Sequence, residues 1–139
     1  MDQPSTFNTK LFFTSLFCLF ITCFCFGQIK KKAYETIVTD NVEVVRVNIQ
    51  GASVVFKETK GTRILVETSI KLSVPNPALL SFVIERGRYK LMQTRESSTR
   101  ELILESKKNK NAILVKGELC AEEVAYTIYI PTHIRSFKH

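Results

Sequence analysis

The chain has 139 residues, 45% of them apolar and 24% charged, with a formal net charge of +7. That apolar content excludes an intrinsically disordered chain, and the length favours one domain. The basic balance admits anionic partners such as nucleic acid, a membrane surface or acidic glycan. Acids nevertheless interleave with bases, as in Lys57 beside Glu58, Arg95 beside Glu96 and Arg100 beside Glu101, which is the pattern of a mixed-charge solvated surface.

Residues 11–26 carry no charge and follow Lys10. A membrane-spanning helix takes about 20 apolar residues, whereas the core of a signal peptide takes roughly 7–15. The run therefore reads as an export signal. Cys25 and Gly27 are the small residues that a signal peptidase requires before a cut between Gly27 and Gln28. Cys18, Cys23 and Cys25 follow Phe17, Thr22 and Phe24, so no lipoprotein-type small residue precedes an anchoring cysteine. An uncleaved anchor is the alternative, because the lysines at 30–32 resist export. The expectation is a signal peptide over 1–27, a basic leader over 28–33 and a single β-rich domain over 34–139, with the exported part in the periplasm, on the cell surface or outside the cell. In that oxidising setting Cys120 has no partner and is a buried or free thiol.

Along the exported part the apolar pattern has period two. A first strand is expected over 34–38. In 41–50, Val45, Val47 and Ile49 share a face, and Val54, Val55 and Phe56 form a short run closed by Lys60 and Gly61. Residues 63–72 alternate strictly, with Ile64, Val66, Thr68, Ile70 and Leu72 on one face, the mark of a half-buried strand. The sequence Val74-Pro75-Asn76-Pro77 then breaks the pattern. Asn76 suits an N-cap, Pro77 the first helical position, and Gly87 the left-handed residue past the end. Leu79, Leu80, Val83 and Ile84 recur at helical spacing, so 77–86 is read as one short helix. Strands are expected again at 89–93, 101–106 and 112–116, with turns at 96–99 and 107–111. Residues 117–123 read as an acidic connection carrying Cys120. Val124, Tyr126, Ile128 and Ile130 then alternate before Pro131 ends the strand.

Catalytic, cofactor and metal sites are not expected. The exported part has His133 and His139, both near the end, and Asp40 as its one aspartate, which leaves a hydrolytic triad without its base and orienting acid. Cys120 and His133 have no partner pair for zinc. Glu118, Glu122 and Glu123 are the local carboxylate cluster, the weaker alternative of an exported hydrolase, although a cluster of this kind is usually a solvated turn. Arg86, Arg88, Tyr89, Lys90 and Arg95 come nearest to a nucleic-acid surface and read better as cations at a helix C-terminus.

Three segments, VEVVRVNIQGASVVFKETKG, RILVETSIKLSVPNPALLSFVIERGRY and ILVKGELCAEEVAYTIYIP, together with the signal ending FGQ, resemble an uncharacterised family of small exported Bacteroidetes proteins related to adhesin-type β domains. The resemblance spans roughly 41–131. It implies a curled or solenoid-like β structure and supplies no catalytic residue. Relatives of this pattern continue past the Ile-Pro motif with further strands, so a truncated C-terminus is expected. The resulting expectation is a mainly β fold, an antiparallel curled sheet or sandwich with a short β-solenoid as the alternative, and one short helix near 77–86. The expected role is a non-enzymatic envelope domain, structural or surface-binding, with a membrane-anchored accessory subunit as the alternative. Its partners would be anionic surface glycan, lipid or another envelope protein, and not nucleic acid.

Overall fold

The computed structural model describes residues 29–107 and 110–138. The expected signal peptide and its cut at Gly27 and Gln28 lie outside the described residues, as do Lys108 and His139.

Among the described residues, ten strands and one helix follow in chain order: β1 (Lys30–Val38), β2 (Val44–Asn48), β3 (Ser53–Thr59), β4 (Arg63–Leu72), α1 (Pro77–Glu85), β5 (Met92–Glu96), β6 (Glu101–Glu105), β7 (Ile113–Val115), β8 (Glu118–Cys120), β9 (Glu122–Pro131) and β10 (Arg135–Lys138). They form two open four-stranded sheets, here called A and B, and a two-stranded hairpin. Sheet A has the order β1-β4-β9-β3 and sheet B the order β10-β2-β6-β5; β7 and β8 make the hairpin.

The fold is mainly β, as the alternation requires, but the sheets are mixed, which corrects the antiparallel expectation. β10 with β2, β2 with β6, and β3 with β9 run parallel, whereas β1 with β4, β4 with β9, β5 with β6, and β7 with β8 run antiparallel. Parallel pairing requires a crossover between partners, and the chain provides one each time it leaves one sheet for the other. The β2–β3 passage goes from sheet B to sheet A, and the β9–β10 passage returns. Alternation reports which face is buried and is blind to strand direction.

Both sheets feed one core. Ile37, Ile64, Val66, Tyr126, Ile128 and Ile130 of sheet A meet Val45, Val47, Leu102 and Leu104 of sheet B. The alternating face of β4 is buried along its whole length, Thr68 included. Its far end, Ile70 and Leu72, joins a second cluster with Leu80 and Val83 of α1, Tyr89 and Cys120. Nine residues of helix are too few to persist in isolation, so α1 depends on this contact.

The helix is bounded as the sequence indicates. Asn76 Oδ1 accepts from the Leu79 amide at 3.0 Å, and Pro77 opens the first turn. At the other end Gly87 lies at φ +67°. The Gly87 amide donates to the Ile84 carbonyl at 2.9 Å and the Arg88 amide to the Val83 carbonyl at 3.2 Å, the double bond of a Schellman cap.

Several boundaries differ from expectation. β1 begins at Lys30, so the lysines read as a basic leader are strand, with Lys30 opposite Lys71. β1 is a sheet edge, where lysine heads stay in water while the backbone pairs. The strand expected at 89–93 starts at Met92, because Tyr89 and Leu91 are buried in the turn that leaves the Schellman cap. The acidic connection contains β8, since Lys116 at φ 53° and Gly117 at φ 84° make the two-residue turn of a hairpin. Residues 135–138 form β10, so the segment after Pro131 is paired.

Candidate functional site

The outer face of sheet A collects side chains from four strands. Registers place Lys30, Lys32, Tyr34, Thr36 and Val38 of β1 beside Lys71, Ser69, Glu67, Leu65 and Arg63 of β4. β9 continues the face with Glu123, Ala125, Thr127 and Tyr129, and β3 with Ser53, Val55, Lys57 and Thr59. The face is about 14 Å wide and about 30 Å long from strand spacing and rise. No described residue lies over it as a further layer of sheet or helix.

Its charge is one-sided. Lys30, Lys32, Lys57, Arg63 and Lys71 oppose only Glu67 and Glu123. Both acids are already engaged: Lys32 Nζ stands 2.9 Å from Glu67 Oε1, and Lys71 Nζ stands 3.2 Å from Glu123 Oε2. The hydrogen bond from Lys32 holds the Glu67 carboxyl below the usual carboxylate range, with help from Tyr34 and the charge of Lys57. Lys30, Lys57 and Arg63 have no carboxylate partner among the described residues.

Two tyrosines stand among these cations. Tyr34 is 61% exposed, and Tyr129 packs beside Leu65 with Lys57 Nζ 5.6 Å from its ring centroid, a cation–π distance. At the Lys30 end a shallow cavity of about 230 Å³ is lined by Lys30, Ser69, Lys71, Glu123 and Ala125. Larger depressions of about 390 and 360 Å³ open elsewhere without an excess of cations: Arg95 and Arg100 face Asp40, Glu96 and Glu101 in one, and Lys107 faces Glu105 in the other.

The residues singled out in the sequence do not form a reaction centre. Glu122 and Glu123 are neighbours on one strand and point to opposite faces. Glu122 is held by Arg88, from Nε at 2.8 Å and Nη2 at 2.5 Å, and by the Tyr89 hydroxyl at 2.6 Å. Glu123 pairs with Lys71 on the outer face, and Glu118 is exposed on β8. The basic group near the helix also disperses. Arg86 stacks on Phe82 at 5.1 Å, Arg88 holds Glu122, and Arg95 Nη2 donates to the Val38 carbonyl at 2.5 Å. Among the described residues no cluster of His, Cys, Asp and Glu is arranged to hold a metal ion.

Cys120 is a free thiol and is buried. The Ser73 hydroxyl donates to its sulfur at 3.7 Å and accepts from the Ala121 amide at 2.9 Å. His133 is exposed, so the two residues do not form a ligand pair. No helix of the described residues is long and apolar enough to cross a membrane.

The basic face escaped the sequence reading because no single segment carries it. Comparison of the chain with family models, curated proteins and solved structures finds no match.

Proposed function

We propose that this chain is a non-enzymatic exported β domain, adhesin-like in role, that binds an anionic surface glycan on the outer face of sheet A. The observation that carries the reading is the set of three cations without a carboxylate partner among the described residues, Lys30, Lys57 and Arg63, placed around Tyr34 and Tyr129 on an open sheet whose two carboxylates are ion-paired. A linear polyanion lying along the strands would meet lysine and arginine heads that need no rearrangement, while the tyrosine rings offer apolar faces to sugar C–H groups. Exposed cations bind in a salt-dependent way, so affinity comes from several contacts at once.

The domain is read as a two-layered sandwich, with a solenoid-like return of the chain where β3 meets β9 and β10 meets β2. Export rests on the apolar run at 11–26 and the small residues before Gln28. The resemblance to exported Bacteroidetes proteins with adhesin-type domains agrees with this role.

Titration of the full chain with polygalacturonate and with a neutral glucan tests the proposal. The expected outcome is binding to the polyuronate that weakens steeply between 50 and 300 mM salt, with none to the glucan. Equal binding to both, or salt-independent binding, would overturn it. The mass of the chain recovered after export decides between a cleaved secreted form starting at Gln28 and a membrane-anchored accessory subunit.

A further inference from the structure

The four outermost strands of the two sheets are guarded unequally. β1 opens with Lys30, Lys31 and Lys32; Lys31 reaches Ser81 of α1 at 2.8 Å, and Arg95 covers the Val38 carbonyl. β10 has four residues, all exposed, with Arg135 and Lys138 at its ends. β5 is fully exposed and carries Arg95 and Glu96. These are the usual protections of a strand edge: lysines, short length and charge.

β3 has none of them over its centre. Among the described residues it pairs on one side only, with β9. Its seven residues match β9 one to one from Ser53 to Thr59, so no bulge turns the edge away. No proline interrupts it, and its charges, Lys57 and Glu58, lie toward the C-terminal end. At the centre are Val54, Val55 and Phe56. Val54 and Phe56 pack on the shared core yet stay partly exposed, and Val55 is 48% exposed. The core is thus open at the edge where β3 ends the sheet.

We propose that β3 is a self-docking edge, at which two copies of this chain pair antiparallel about a two-fold axis through Val55. In that register Val55 meets Val55 of the second copy on the outer face. Beside it on that face Lys57 meets Ser53, and on the inner face Val54 meets Phe56 twice, which closes the core. No like charges oppose each other, whereas centring the pair on Lys57 would set lysine against lysine. A C2 pairing is isologous, so one apolar segment supplies both halves. Two sheets A would then join into one eight-stranded sheet with an unbroken basic outer face.

Residues directly opposite in an antiparallel pair have Cβ atoms about 5 Å apart, so the full chain carrying Val55→Cys should oxidise to a copy-to-copy disulfide through position 55. Peptide mass mapping should recover that link at least tenfold above the link formed by Thr36→Cys on edge β1. Val55→Lys and Val55→Glu should each sediment as monomers and pair when mixed. Equal linking at 55 and 36, or a Val55→Lys chain that self-associates as well as the parent, overturns the proposal. Slow exchange of those amides in 53–59 that point away from β9, in a chain that sediments as a monomer, also overturns it, because the edge is then covered from within the same molecule.

Discussion

Arg88 grips Glu122 at two points, Nε to Oε2 at 2.8 Å and Nη2 to Oε1 at 2.5 Å. Arg88 stands just past the left-handed Gly87 that ends α1, and Glu122 is the first residue of β9. The pair therefore fastens the end of the helix to sheet A. Arg88 Nη2 also donates to the Asn111 carbonyl at 2.7 Å, and the Tyr126 hydroxyl donates to the Tyr89 carbonyl at 3.1 Å. One network thus joins the helix end, the approach to β7 and the middle of β9.

Replacing Glu122 by alanine leaves a mostly covered guanidinium and the Tyr89 hydroxyl without their acceptor. The expected cost is about 2–3 kcal/mol, less than for a fully buried pair because both side chains retain some solvent. Glu122→Gln keeps an acceptor and should cost about 1 kcal/mol. Urea unfolding midpoints measure both, and equal stability of the alanine variant and the parent would contradict the role given to this pair.

The same carboxylate sets an acid limit. Burial works to raise the Glu122 pKa, but hydrogen bonds from Arg88 and Tyr89 and the charges of Arg88 and Lys110 outweigh it and hold the group below the usual carboxylate range. The stabilisation is complete above the unfolded pKa, about 4.3, and disappears as pH falls through the folded one. Stability measured from pH 6 to pH 3 should fall less steeply in Glu122→Gln than in the parent. At the alkaline end the sign reverses. Burial pushes Tyr126 up to about 12, with the nearby Glu35 and Glu122 charges adding to it. Its contribution is complete below the unfolded value near 10 and is lost as pH rises toward 12.

The caps of α1 are expected to count. Asn76→Ala removes the acceptor for the Leu79 amide and should cost about 1 kcal/mol. Gly87→Ala places a Cβ at φ +67°, 3.4 Å from the Lys90 side chain, and should cost about 1–2 kcal/mol from the left-handed backbone alone. Thermal unfolding of the two variants checks both figures. Gly117→Ala at the exposed hairpin turn meets no neighbouring atom, so its cost isolates the backbone contribution.

Cys120 is 2% exposed and should resist thiol reagents in the native chain. Mass mapping after alkylation should find its peptide unmodified without denaturant and fully modified in 6 M guanidinium chloride. Rapid native labelling would contradict the burial of this thiol beneath β4 and the helix.

The parts of this fold that were legible in the sequence are those fixed by local pattern. The five inward residues of β4, the Asn76 cap and the Gly87 terminus are each determined within a few positions. Strand direction was not legible, because a side chain alternates identically in parallel and antiparallel ladders. β8 was hidden because only Gly117 announces its turn, while Lys116 adopts a positive φ that lysine does not advertise. The basic face shows the deeper limit. Lys57 beside Glu58 reads as a neutral pair in sequence, but successive residues on a strand face opposite ways, so Lys57 joins the outer face and Glu58 leaves it. Interleaved charge along a strand becomes segregated charge across a sheet. Finding it requires the register of four strands drawn from residues 30 to 131, information that no single segment holds.

Charge reversal on the two sheet faces is the most direct test of the outer face of sheet A as the binding surface. Polygalacturonate affinity at 50 mM salt is compared for the parent, for Lys30→Glu with Lys57→Glu and Arg63→Glu, and for Arg135→Glu at the edge of sheet B. The account predicts at least a tenfold loss for the triple variant, a shallower salt dependence, and less than a twofold change for Arg135→Glu. A triple variant that folds as the parent does and binds with undiminished affinity would contradict it.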